Sequence, residues 1–226
     1  MESKRITVFA GHYGSGKTNI AVNYALRLRE EFDKVSIADL DIVNPYFRTK
    51  DSEKVLAEKG IRLISSEYAN SNVDVPALPA EAYSIIDDLS VKAVIDVGGD
   101  DRGALALGRY TPSIIEQNDY EYLLVINKFR PLTPDCASTI GVMREIETAC
   151  RMKFTGIVNN SNLGDETTAE DVISSIGYAE EISKTSSLPI RMTTVKEDLF
   201  DTLKDKVVNC TPIKLYVKQS WARATD

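Results

Sequence analysis

The chain has 226 residues, 43% of them hydrophobic and 27% charged, and a formal net charge of −7 at pH 7. This balance belongs to a folded globular protein, and the length suits one large α/β domain over residues 1–226 better than two ordinary ones. The acidic excess argues against nucleic acid as the main partner, and no stretch approaches the ~20 apolar residues of a membrane span.

Apolar runs and helical patterns then alternate from end to end, which predicts a mostly parallel β-sheet flanked by helices on both faces, a three-layer sandwich. Ile6 to Ala10 is a short apolar run that glycines stop at once. From Thr18 the pattern turns helical, with Ala21, Ala25 and Leu28 on one stripe. Val35 to Ala38 is the second strand and runs into Asp39-Leu40-Asp41. A helix from Ser52 to Lys59 precedes the run Ile61 to Ile64, and another from Ala80 to Leu89 leads into Ala93 to Val97. Tyr122 to Ile126 reads as a buried strand, after which Thr133 with Pro134 predicts the start of a helix whose inner stripe is Ile140, Met143, Ile146 and Cys150. Gly156 to Val158 is a further strand end. Thr168 and Asp171 have the spacing of a capping box for one helix carrying Val172, Ile176 and Ala179. Leu188 to Val195 and Ile213 to Val217 read as late strands, the last at a sheet edge.

The chemistry concentrates at Gly11 to Thr18, which matches G-x-x-x-x-G-K-[ST] between a buried strand and an amphipathic helix. Glycines in such a loop let successive N–H groups face one point, and the helix start adds partial positive charge there. Gly11, Gly14, Ser15 and Gly16 are therefore expected to wrap a β-phosphate. Lys17 would bring a full charge to the β/γ oxygens, and the Thr18 hydroxyl would ligate Mg2+. A magnesium site also needs carboxylates at the carboxyl ends of neighbouring strands. Asp39 and Asp41 follow the second strand; Asp96 closes another and is followed by Val97-Gly98-Gly99, where the Gly99 amide could sense a γ-phosphate.

These residues, with Gly156-Ile157-Val158-Asn159-Asn160, resemble the MinD/ParA/Mrp group of P-loop ATPases. That group lies in the SIMIBI class, which also holds the nitrogenase iron protein and dethiobiotin synthetase. The resemblance implies that Asp41 orients the attacking water beside Lys17, that Asp39 and Asp96 hold magnesium through its waters, and that Asn160 reads adenine. It also implies a nucleotide-dependent homodimer and an unidentified protein partner. The chain departs from the group at the signature lysine, whose place is taken by His12, the single histidine of the sequence. Dethiobiotin synthetase-like members lack that lysine too, so an ATP-dependent small-molecule ligase or kinase, or a sensor with little turnover, stands as the alternative to a switch.

Guanine selection in GTPases resembling this fold uses N-K-x-D, whose acid accepts from the guanine hydrogens. Here the sequence is Asn127-Lys128-Phe129-Arg130, and an arginine has no acceptor to offer. ATP is expected over GTP on that ground. Asn44-Pro45-Tyr46-Phe47-Arg48 and Asp100-Asp101-Arg102-Gly103 are expected to face a partner or respond to nucleotide, with Arg102 and Arg109 as candidates to meet the γ-phosphate. Cys136, Cys150 and Cys210 are odd in number and lack C-x-x-C pairing, which fits a reducing cytoplasm. Met1 to Arg5 runs into an apolar segment too short for a secretory signal, so a cytoplasmic location is expected. The tail Lys214 to Arg223 mixes basic and aromatic residues, but its alternation suits a strand better than a membrane-binding helix.

Overall fold

The computed structural model describes residues 3–40, 52–65, 81–99 and 101–216, without the side chains of residues 81, 82, 101 and 102. Asp41, the segment Asn44 to Arg48, Asp100 and the tail beyond Tyr216 lie outside the described residues. The strands are β1 (Ile6–Ala10), β2 (Val35–Leu40), β3 (Arg62–Ser65), β4 (Lys92–Val97), β5 (Tyr120–Ile126), β6 (Gly156–Asn159), β7 (Ile190–Lys196) and β8 (Cys210–Ile213). Among the described residues they form one sheet in the order β3-β2-β4-β1-β5-β6-β7-β8, with every pairing parallel. A parallel sheet must be covered on both faces, and its central strands β1, β4 and β5 are accordingly buried along most of their length.

The two-residue period of each strand divides its side chains between two cores. Phe9, Ile37, Val94, Leu123, Val125 and Val158 face α1 (Lys17–Glu31) and α2 (Glu53–Glu58), where they meet Ile20, Ala21, Ala25, Leu28 and Leu56. Val8, Ala38, Ile95, Leu124, Ile126 and Ile157 face the other way, onto α3 (Glu81–Asp87), α4 (Asp101–Gly108), α5 (Thr111–Gln117) and α6 (Cys136–Cys150). The same core takes in α8 (Ile176–Ser186), while α7 (Ala169–Ser174) and α9 (Phe200–Leu203) pack Val172 and Leu203 on Val195 at the β7 end of the sheet.

The helix predicted from Thr133 starts two residues later: Asp135 is the cap, accepting from Ser138 N at 2.8 Å, while the Thr133 hydroxyl donates to Asn127 O. The Thr168–Asp171 capping box is present, but the helix it opens breaks at Ser175 into α7 and α8. The last strand spans Cys210–Ile213 rather than starting at Ile213. It does form a sheet edge. Beyond it, Asn23 of α1 accepts from Lys214 N and donates to Lys214 O, and Asn19 accepts from Tyr216 N, so this segment is strapped along α1. Among the described residues no helix is long and apolar enough to cross a membrane, and Cys136, Cys150 and Cys210 are free thiols.

Candidate functional site

β1 ends at Ala10, and Gly11 turns the chain with φ +156° against β5; a side chain there would be driven into the Val125 carbonyl. Gly14 and Gly16 follow at φ +76° and +89°, in the left-handed region that glycine enters without steric cost. Ser15 N donates to His12 O at 3.1 Å and closes the turn. Gly16 is the N-cap of α1 and brings no side-chain cap, and no acidic residue lies in the first turn. The helix start is thus left for an anion, the arrangement in which first-turn amides and the macrodipole attract phosphate. Lys17 is buried, with Nζ donating to His12 O across the loop at 3.2 Å. Gly11, Gly14, Ser15, Gly16, Lys17 and Thr18 therefore form one concave turn.

On the β4 side of that turn, Thr18 Oγ1 donates to Asp96 Oδ2 at 2.6 Å. Asp39 is paired in register with Asp96 across β2 and β4, and both carboxyl groups are buried. The faces of their neighbours Ile37 and Val94 place both acids on the α1 side of the sheet. Two buried carboxyl groups side by side with a hydroxyl are hard oxygen donors, which fits a magnesium ion that keeps several waters. Among the described residues no cluster of three or more His, Cys, Asp or Glu side chains could hold a metal by itself.

On the β5 and β6 side, Asn160 is buried beneath the loop. Its Nδ2 donates to Ser15 O at 2.6 Å and lies where a Gly16 side chain would be, and its Oδ1 accepts from Thr194 Oγ1 at 2.5 Å. Asn127 is fully buried and spent on the backbone: Oδ1 accepts from Phe129 N at 3.0 Å and Asn162 N at 3.4 Å, and Nδ2 donates to Asn162 O. Lys128 turns away to Ser174 O at 2.8 Å. Arg130 instead lays its guanidinium on Gly14, with Nε 3.4 Å and Cζ 3.6 Å from where a Gly14 side chain would begin. Burial lowers the pKa of Arg130 and the neighbouring Tyr13 hydroxyl opposes that shift. Beside Asn160, residues Asn162, Thr167, Thr194, Lys196 and Leu215 line a small crevice.

The segment after Asp96 touches the loop directly. A Cβ on Gly99 would lie 2.5 Å from Tyr13 N and 2.7 Å from Tyr13 Cα, and one on Gly103 would strike the Gly98 backbone. The segment expected to respond to nucleotide is helical from Asp101 onward, because Gly103 lets the first turn of α4 settle on Gly98. Arg109 does not reach the loop: Gly108 abuts Ala149 and Cys150, at the end of α6 remote from β5's carboxyl end. His12 donates from Nδ1 to Tyr13 O at 3.0 Å, and the Tyr13 side chain is 52% exposed. Thr194 and Arg130 are the participants that sequence reasoning did not place at the loop; nothing local to either position signals it.

No protein-family profile matches the chain, and no curated protein does. Solved structures do match in fold. The signal recognition particle 54 kDa protein of Aeropyrum pernix K1 in complex with GDP superposes with a TM-score of 0.56 at 17% identity, over 84% of this chain and 41% of that one. Chloroplast FtsY from Physcomitrella patens gives 0.53 at 17% identity, covering 84% and 58%. FtsY from Mycoplasma mycoides gives 0.52 at 21% identity, covering 84% and 60%. The chain thus spans between 41% and 60% of the length of these proteins. At such identity the likeness concerns the fold alone, a P-loop NTPase α/β sandwich. None of the three is of the MinD/ParA kind.

Proposed function

We propose that this P-loop fold serves a nucleotide-dependent switch, which binds ATP with magnesium, hydrolyses it slowly and thereby regulates, loads or positions a protein partner. The observation that carries the reading is Thr18 Oγ1 held 2.6 Å from Asp96, with Asp39 in register beside it, directly beneath the Gly11–Thr18 turn. Thr18, Asp39 and Asp96 would hold magnesium, directly or through its waters; the bound ion supplies charge neutralisation at the phosphates. Lys17 and the loop amides stabilise charge on the γ-phosphoryl group, and Asp41 orients water. Gly99, resting on the Tyr13 backbone, couples the loop to α4, so a change at the phosphates moves a helix. Exposed Tyr13 and Leu132, one in the loop and the other two residues past Arg130, are where a partner could sense it.

ATP is favoured because no acid follows Asn127-Lys128, Arg130 carries no acceptor, and the Asn127 carbonyl is occupied by two backbone amides. In this reading Asn160 is a strut under the loop rather than the reader of adenine. GTP is the second reading, favoured by the GDP bound to the Aeropyrum pernix protein of the same fold.

Titration of ATP and GTP against the protein, with magnesium and with EDTA, decides between the bases. Light-scattering mass with ADP or a non-hydrolysable ATP analogue, for wild type and Lys17→Ala, tests the switch. A mass that rises with the analogue in wild type alone supports a nucleotide-dependent homodimer. A mass indifferent to nucleotide removes the homodimer and turns attention to small-molecule substrates.

A further inference from the structure

Arg130 is the side chain at this site whose chemistry the foregoing leaves unused. Its backbone is fixed by two turns, Arg130 N on Asn127 O at 3.2 Å and Thr133 N on Arg130 O at 3.0 Å, while Asn127 braces the residue between. The side chain therefore projects from a rigid support. It lies on Gly14, where the lack of a Cβ gives it room, with Nε buried and without a hydrogen-bond partner. Among the described residues no carboxylate pairs with it. A guanidinium remains charged at any physiological pH, and withdrawing it from water without a counter-charge is costly. Burial lowers its pKa, in keeping with a cation that lacks an anion.

The missing anion is supplied by the site itself. β1 has β4 on one side, carrying Asp96 toward Thr18, and β5 on the other, carrying Arg130 to Gly14. The acids for magnesium and this cation thus bracket the loop from opposite sides, so the guanidinium faces the end of a bound phosphate chain away from the metal. Position 12 holds a histidine where the resembling ATPases carry a lysine, and Lys128 is turned away onto Ser174.

We propose that Arg130 is a phosphate-binding residue supplied in cis, its guanidinium donating to the α- and β-phosphate oxygens of the nucleotide that the Gly11–Thr18 loop holds. The proposal rests on the nucleotide-binding reading above. It is tested by calorimetric titration of wild type, Arg130→Ala, Arg130→Lys and Arg130→Gln with magnesium and the diphosphate and non-hydrolysable triphosphate of the preferred base, alongside melting of each nucleotide-free variant. Arg130→Ala is expected to weaken diphosphate and triphosphate alike by about tenfold or more, as loss of a charge-assisted hydrogen bond does. Lysine should restore part of the affinity and glutamine little, with the nucleotide-free melting temperature unchanged or raised. Equal affinity of wild type and Arg130→Ala overturns the proposal, as does full rescue by glutamine with a lowered melting temperature for alanine, which makes Arg130 a packing strut. Wild type that binds neither ATP nor GTP overturns the reading of the site and, with it, this proposal.

Discussion

Replacing Asn160 by alanine separates two roles for that residue. In the structure its amide joins the Ser15 carbonyl at 2.6 Å to the Thr194 hydroxyl at 2.5 Å, both in the interior. Asn160→Ala leaves the Ser15 carbonyl without this donor, at about 1–3 kcal/mol, and leaves the Thr194 hydroxyl only its longer bond to Asn159 O at 3.4 Å, at about 1 kcal/mol, roughly 2–4 kcal/mol together. For a chain of this length each kcal/mol lowers the melting temperature by about 2–4 °C, so a fall of roughly 4–16 °C is expected without any nucleotide. The loop would also lose its support at Ser15, and affinity for ATP and GTP should drop by the same factor. Differential scanning calorimetry of the nucleotide-free protein, followed by titration with both nucleotides, measures the two effects. A variant that melts like wild type and loses affinity for ATP alone would refute the strut and restore Asn160 as the reader of adenine.

Three further outcomes follow from the same geometry. Asp39→Asn removes one of two in-register buried acids; it should cut the magnesium enhancement of nucleotide binding by about tenfold, as the loss of one hard charged ligand would. An unchanged ratio of affinities with magnesium and with EDTA would contradict it. Gly99→Ala forces a methyl group to 2.5 Å from Tyr13 N, so loop or strand end must move, at roughly 1–3 kcal/mol, with lower melting temperature and weaker nucleotide binding. Tyr178, whose hydroxyl donates to Thr133 O at 2.9 Å, has its pKa pushed by burial up to about 12, against about 10 in an unfolded chain. Its raised folded value means the stability it contributes is complete below about pH 10 and drains away as pH rises toward 12. Tyr178→Phe should flatten the fall in urea stability between about pH 10 and 12, and an unaltered slope would count against this assignment.

The strands and the phosphate-binding motif were legible because each is a local pattern. A buried parallel strand is a short apolar run, and the turn after Ala10 needs glycines where φ is positive. What escaped depends on distant partners. Thr133 and Asp135 both suit a helix cap, and the choice was made by the Asn127 carbonyl, which takes the Thr133 hydroxyl. Ser175 gives no sign of ending a helix; it does so where its Oγ bonds Val172 O at 2.7 Å and accepts from Asn159 at 2.9 Å. The polar look of Asp101-Arg102-Gly103 hid a helix, since the close approach of Gly103 to Gly98 is invisible in one dimension. Likewise an arginine in place of an acid showed what was lost for guanine, but not that the new side chain lies on Gly14.

The position of β1 in the middle of the sheet has a consequence for the order in which the protein can be made. Ile6–Ala10 is made before both of its partners, Lys92–Val97 and Tyr120–Ile126, so it waits for them to follow. The loop that follows waits longer. Its first glycine rests on Val125, its last on Asn160, and Asn160 on Thr194. Non-local parallel pairings of this kind are slow to form, because loop closure must precede the contacts that reward it. A strand made before its partners is therefore late to acquire its shape, and a nascent chain halted before Thr194 should carry the Ile6–Ala10 strand with no finished phosphate cradle behind it.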